Sequence, residues 1–153
     1  MNNLSHLNEN NQPGMVNVAH KQATHRIARA RAVVALPAEV SSKLCEGELS
    51  MPKGPVFETA IIAGTMAAKK TGDLIPLCHP LGLDGCKLDI SMNDDDEVII
   101  EATCEITHKT GVEMEALTAV SLAALTLYDM AKAVDKAMRI DGVRLVEKTK
   151  ELP

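Results

Sequence analysis

The sequence predicts an α+β fold in which helices cover one face of an antiparallel sheet. Two observations carry that expectation. Residues 113–139, EMEALTAVSLAALTLYDMAKAVDKAMR, have helical composition, with no ionisable side chain between Glu115 and Asp129 except Tyr128. Such a helix, apolar all round, belongs in a core or against another subunit. CKLDISM and EVIIEATCEITH alternate apolar and polar residues around the acidic NDDD, the pattern of a hairpin with one buried face.

Along the chain, the polar start MNNLSHLNENNQPG lacks the basic and apolar regions of a signal peptide and reads as a flexible arm over residues 1–14. Residues 15–153 then form a single domain. A strand is expected over residues 24–36, carrying Arg26, Arg29 and Arg31. Those arginines suit either an edge strand that uses charge against aggregation or an anion-binding strand. PAEVSSKLCEGE reads as a short helix opened by Pro37 and closed near Gly47. Lys53 lies in the turn MPKGP. The following segment places Phe57, Ile61, Ile62 and Met66 at helical spacing, with Gly72 as its stop. Lys69 and Lys70 in the last turn complement the helix dipole. In DLIPLCHPLGLDG, Pro76 and Pro80 bracket Leu77, Cys78 and His79 and pre-order whatever that loop carries. GVRLVEKTKELP reads as a short strand with a frayed end.

Composition narrows the function. At 153 residues, 46% hydrophobic and 24% charged, the chain is long enough for one core without disulfides or metal. Cys45, Cys78, Cys86 and Cys104 show no C-x-x-C spacing, so a reduced, cytoplasmic protein with no zinc site is expected. A net charge of -5, one Phe, one Tyr and no Trp argue against nucleic-acid or anionic-membrane binding. An anionic ligand must then be held by local cations, and small and aliphatic residues must fill the core.

Asp129 and Lys132, three apart, are neighbours on a helix surface at the rim of its apolar stretch. Glu115 and Asp129 are fourteen residues apart, about 21 Å along a continuous helix, too far for one small substrate. If both ends are functional, a symmetric oligomer joins the start of one helix to the finish of another.

KKTGDLIPLCHPL (69–81), KTGVEMEALTAVSLAALTLYDMAKAVDK (109–136), VRLVEKT (143–149) and the stretch from Lys53 to Gly64 together resemble the cyclic pyranopterin monophosphate synthase (MoaC) family of molybdenum-cofactor biosynthesis. The resemblance covers residues 15–149. It implies a ferredoxin-like fold, a homohexamer built as a trimer of dimers, and sites where subunits meet. The implied reaction rearranges a small-molecule substrate, a cyclised dihydro-GTP triphosphate, to cyclic pyranopterin monophosphate with release of pyrophosphate, with no cofactor. By matching motifs, Asp129, Lys132, Lys53 and Lys69 fall on catalytic positions. Leu77, Cys78, His79, Glu113, Met114 and Glu115 fall on substrate-binding segments, and Arg26 on a phosphate-holding cation. No metal site is implied.

The chain departs from the family pattern in three places. TGDLIP has Gly72 where the family has tryptophan, which loosens packing behind the loop. KGPVF replaces KGDVF, so Pro55 stiffens the Lys53 turn. KELP replaces a glycine- and lysine-rich end, and no substrate contact is carried over onto it. The reading from a different class is a non-catalytic triphosphate-binding assembly protein, in which the same cations hold nucleotide and the helix cements an oligomer.

Overall fold

The computed structural model describes residues 5–151. Residues 1–4 of the expected arm and the last two residues of the KELP end lie outside them. Four long strands, β1 (Thr24–Ala35), β5 (Gly85–Met92), β6 (Glu97–His108) and β7 (Arg139–Glu151), make an antiparallel sheet in the order β5-β6-β1-β7. With α2 (Val56–Lys69) after β1 and α4 (Glu113–Ala131) after β6, the main elements follow the β-α-β-β-α-β order of a ferredoxin-like unit. The α+β class expected from the pattern is what the chain adopts.

The sheet is two-faced because its strands alternate. On β1, Ala28, Ala30, Ala32 and Val34 are buried, and β6 sets Val98, Ile100, Ala102, Cys104 and Ile106 on the same side. The alanines on β1 leave room for a helix to approach closely. Helix α4 fills that room with Ala116, Ala119, Val120, Ala123, Ala124 and Leu127, none of them exposed. Helix α2 packs on α4 through Gly64, where a Cβ would lie 2.8 Å from the Ala119 carbonyl oxygen and 3.3 Å from the Ala123 Cβ. A core of small residues thus replaces the missing aromatics. The hairpin turn closes on Asn93, whose Oδ1 accepts from the amides of Asp95 (3.0 Å) and Glu97 (2.9 Å).

Several expectations need correction. Strand β1 is flanked by β6 and β7 over its whole length, so its arginines do not guard an edge. Alternation separates them. Arg29 and Arg31 emerge on the face away from the helices and pair with Glu101 and Glu147, whereas Arg26 is buried on the helix side. The helix opened by Pro37 is only α1 (Ala38–Ser41). The rest of that segment and the residues after it fold into a small sheet of β2 (Leu44–Cys45), β3 (Glu48–Met51) and β4 (Gly54–Pro55).

The buried side of α2 is lined by Val56, Phe57, Ala60, Gly64, Ala67 and Ala68, while Ile62 and Met66 face outward. Gly72 does not stop α2, which ends at Lys69; it lies inside a further short helix, α3 (Thr71–Leu74). The tail forms a thirteen-residue strand rather than a short one.

Helix α4 stops at Ala131, well short of residue 139. Beyond it, the Asp135 carboxylate accepts from the Ala137 amide at 2.8 Å, a local turn that competes with continuing the helix. Nor is α4 buried all round, because Leu125 is 54% exposed and Met114 37% exposed. By length and composition α4 passes for a membrane span, but 56% of its apolar window is buried against this protein's own sheet and α2.

Candidate active site

Most of the candidate side chains collect at the two ends of α4. At its finish, Lys53 projects from the turn between β3 and β4, and its Nζ donates to Asp129 Oδ2 at 2.9 Å. Lys132, the residue at which α4 ends, approaches Asp129 Oδ1 at 3.0 Å. One carboxylate therefore bridges two ammonium groups, all about half exposed to solvent. The Lys53 hydrogen bond first, and then that of Lys132, hold the Asp129 carboxyl below its usual range.

At the start of α4 lies a cavity of about 640 Å³. The proline-bracketed loop contributes Leu77, Cys78 and His79, and the head of the helix contributes Glu113, Met114 and Glu115. Val16, Val18, His20 and Lys21 form another wall. That segment is tied down at two points. His79 Nε2 donates to the Val16 carbonyl at 2.6 Å, and Lys109 Nζ donates to the Ala19 carbonyl at 3.1 Å. Beside this cavity is a smaller one of about 220 Å³, lined by Lys69, Gly72, Asp73 and Pro80, and Glu115 lines both.

The two acidic residues at the head of α4 differ. Glu115 is 2% exposed, and its Oε1 has no hydrogen-bond partner. Burial pushes its carboxyl up to about 7, with the Glu113 charge adding to the rise and a backbone hydrogen bond opposing it. Cys78 Sγ lies 4.0 Å from Glu115 Oε2, and burial followed by the nearby Glu115 and Glu113 charges raises its thiol. Glu113 feels the same burial, but Lys148 Nζ meets its Oε1 at 2.6 Å, and the net result is a carboxyl below its ordinary value. Arg26, buried, adds to that lowering; its Nε donates to Thr24 Oγ1 at 2.8 Å and its Nη2 to the Lys109 carbonyl at 3.3 Å. One carboxyl here is committed to a cation and the other is not.

The model of the MoaC family matches residues 15–151, nearly the whole chain. The chain belongs to the MoaC family. It is 51% identical over 148 residues to a cyclic pyranopterin monophosphate synthase of Novosphingobium aromaticivorans, with 97% of this chain and 92% of the relative covered. It is 52% identical over 146 residues to a protein of the same description from Thermomicrobium roseum, covering 95% and 87%. A molybdenum cofactor biosynthesis bifunctional protein of Synechocystis sp. is 48% identical over 150 residues; there the match takes 95% of this chain but only 43% of the longer relative.

Set against the MoaC motifs, the structure brings Lys53, Asp129 and Lys132 together and leaves Lys69 out. Lys69 closes α2, whose fourteen residues separate it from the Lys53 turn by about 20 Å. It stands instead with Glu115 at the cavity pole. The six residues matched to substrate-binding segments share one cavity, while Arg26 is buried and not in its lining. Gly72 does not leave slack behind the loop, because a Cβ there would meet Pro80 Cα at 2.8 Å. Sequence reasoning missed residues 16–21, whose Val16–Asn17–Val18 alternation is too short to mark an element, and the pairing of Lys148 with Glu113. Among the described residues no group of three or more His, Cys, Asp or Glu side chains stands together as a metal cage.

Proposed function

We propose that this chain is a cyclic pyranopterin monophosphate synthase, which converts 3',8-cyclo-7,8-dihydro-GTP to cyclic pyranopterin monophosphate and releases pyrophosphate, in the cytoplasm. The observation that carries this reading is the sorting of the motif-matched residues into a lysine–aspartate–lysine cluster and a built cavity, in a chain that matches its family across residues 15–151. Residues 15–153 act as one catalytic domain.

The reaction needs proton transfers on a ring system and attack on a phosphate. Asp129, held ionised by two lysines, orients both ammonium groups, so that Lys53 or Lys132 serves as acid and then base. A triphosphate brings roughly four negative charges, which Lys69 and His79 are suited to receive through charge-assisted hydrogen bonds, with the buried Arg26 adding its positive charge without a direct contact. The unbroken helix from Glu113 to Ala131 keeps Glu115 and Asp129 about 21 Å apart in one copy. A complete site therefore takes the cavity of one subunit and the cluster of another, in a hexamer arranged as a trimer of dimers. The outward Ile62, Met66 and Leu125 supply apolar surface for that association.

Turnover with the cyclised GTP tests the activity, read as pyrophosphate release. Triphosphate binding without release would favour an assembly protein instead. A monomer on sizing that still turned over would overturn the shared site.

A further inference from the structure

Glu48, at the start of β3, belongs to neither pole, yet its carboxylate is fully engaged with backbone. Oε1 accepts from the amides of Leu49 and Phe57, each at 2.7 Å, and Oε2 accepts from the amide of Glu58 at 3.1 Å. Phe57 and Glu58 lie in the first turn of α2, where amides have no partner within the helix. The residue just before a helix ordinarily meets them with an Asp, Asn, Ser or Thr side chain. Here that position is Pro55, which makes no side-chain cap. Glu48 supplies the carboxylate from outside the helix, and its charge also suits the positive end of the helix dipole.

The second consequence concerns Lys53. Glu48 and Phe57 close a short loop, and Lys53 is carried inside it, next to Gly54 at φ 115. The pairings Ser50 with Pro55 and Met51 with Gly54 also hold that turn, and the Thr59 hydroxyl donates to the Pro55 carbonyl. We propose that Glu48 is a positioning residue: it clamps the β3–β4 turn to the head of α2 and so aims Lys53 at Asp129. This rests on the reading that Lys53 works with Asp129 and Lys132 in the synthase reaction.

The test compares kcat and KM for pyrophosphate release in wild type, Glu48→Ala, Glu48→Gln, Glu48→Ala with Pro55→Asp, and Lys53→Ala. Glu48→Ala is expected to lower kcat about 10-fold or more, within the roughly 100-fold that an ångström of misplacement costs, with KM nearly unchanged. Glu48→Gln keeps an oxygen for Leu49 and Phe57 and should stay within about 3-fold of wild type. An aspartate at position 55 restores a cap to α2 and should return most of the kcat lost in Glu48→Ala. An unchanged kcat in Glu48→Ala overturns the inference while Lys53→Ala is inactive, and so does failure of the Pro55→Asp rescue. An active Lys53→Ala would instead remove the reading of Lys53 itself, and the inference with it. Should Glu48→Ala not fold, Glu48→Gln with and without Pro55→Asp reads the same rescue on a smaller loss.

Discussion

At the finish of α4 the Asp129 carboxylate stands about half exposed between two ammonium groups, whereas at its start the Glu115 carboxylate is buried with one oxygen touching no donor. The same functional group is driven in opposite directions. Hydrogen bonds from Lys53 and then Lys132 hold the Asp129 carboxyl below its usual range, and burial holds Glu115 near 7, poised between its two forms at physiological pH. Their environments thus suit them to different tasks on one rigid helix, a charge beside two lysines at one end and a proton-holding group at a cavity at the other.

The comparison is broken most sharply by removing the fixed charge. Asp129→Asn keeps the shape but leaves Lys53 and Lys132 without an anion to hold them, and a loss of general acid–base function costs about 10²–10⁴-fold in kcat. Because the group is at the surface, the thermal midpoint should stay where it is. Normal pyrophosphate release by this variant would end the catalytic role of the cluster.

The next effect belongs to Glu115 and appears in stability rather than rate. Its folded pKa of about 7 lies above the unfolded value, so the native state holds a proton that the unfolded chain has released. Stability therefore falls as pH rises from the ordinary carboxyl range through 7, by an amount on the order of 3 kcal/mol. Denaturant titrations across that window should show the fall in wild type and a flatter profile in Glu115→Gln. An equal slope in both proteins would mean that the carboxyl is not held protonated.

Much of this architecture was legible before the structure. Strand β1 begins at Thr24 as the alternation required, and the apolar run after Glu113 marked the helix that the sheet packs against. Strands β2 and β4, of two residues each, carry too little periodicity to be seen. On α2 the large Ile62 and Met66 mark the helical spacing yet face outward, because close helix contact selects the small Ala60, Gly64 and Ala67. At the candidate site, motifs named Lys53, Asp129 and Lys132 at one pole and six of the cavity-lining residues at the other, but not the wall made by Val16, Val18, His20 and Lys21. Partners distant in sequence, such as Lys148 with Glu113 and Glu48 with the head of α2, have no local signal at all.

Smaller effects sharpen the cavity pole. A Cβ at Gly72 would press on Pro80 backbone, which cannot move without displacing the loop that carries Leu77, Cys78 and His79. Overpacking of this kind costs about 1–3 kcal/mol, at least offsetting the roughly 1 kcal/mol that alanine gains over glycine inside a helix. Gly72→Ala should raise KM several-fold with kcat little changed, since the Lys53 cluster lies at the opposite end of α2. A loss confined to kcat would contradict that separation.

The smallest change is expected from Lys148→Ala. Lys148 is half exposed, so its bond to Glu113 is worth under about 1 kcal/mol of stability. Glu113 has a lowered folded pKa, so that contribution is present above the unfolded pKa and is lost as pH falls through the folded one. Wild type and variant should accordingly differ slightly at neutral pH and converge in acid. Without Lys148, burial acts on Glu113 with only its own backbone hydrogen bond and the Arg26 charge to offset it, and its carboxyl rises from that lowered position. An unneutralised carboxylate then faces an anionic substrate at neutral pH, so KM should rise a few-fold and recover as the pH is lowered enough to protonate it. A KM that stayed at the wild-type value across this range would show that Lys148 serves the fold of β7 rather than the charge of the cavity.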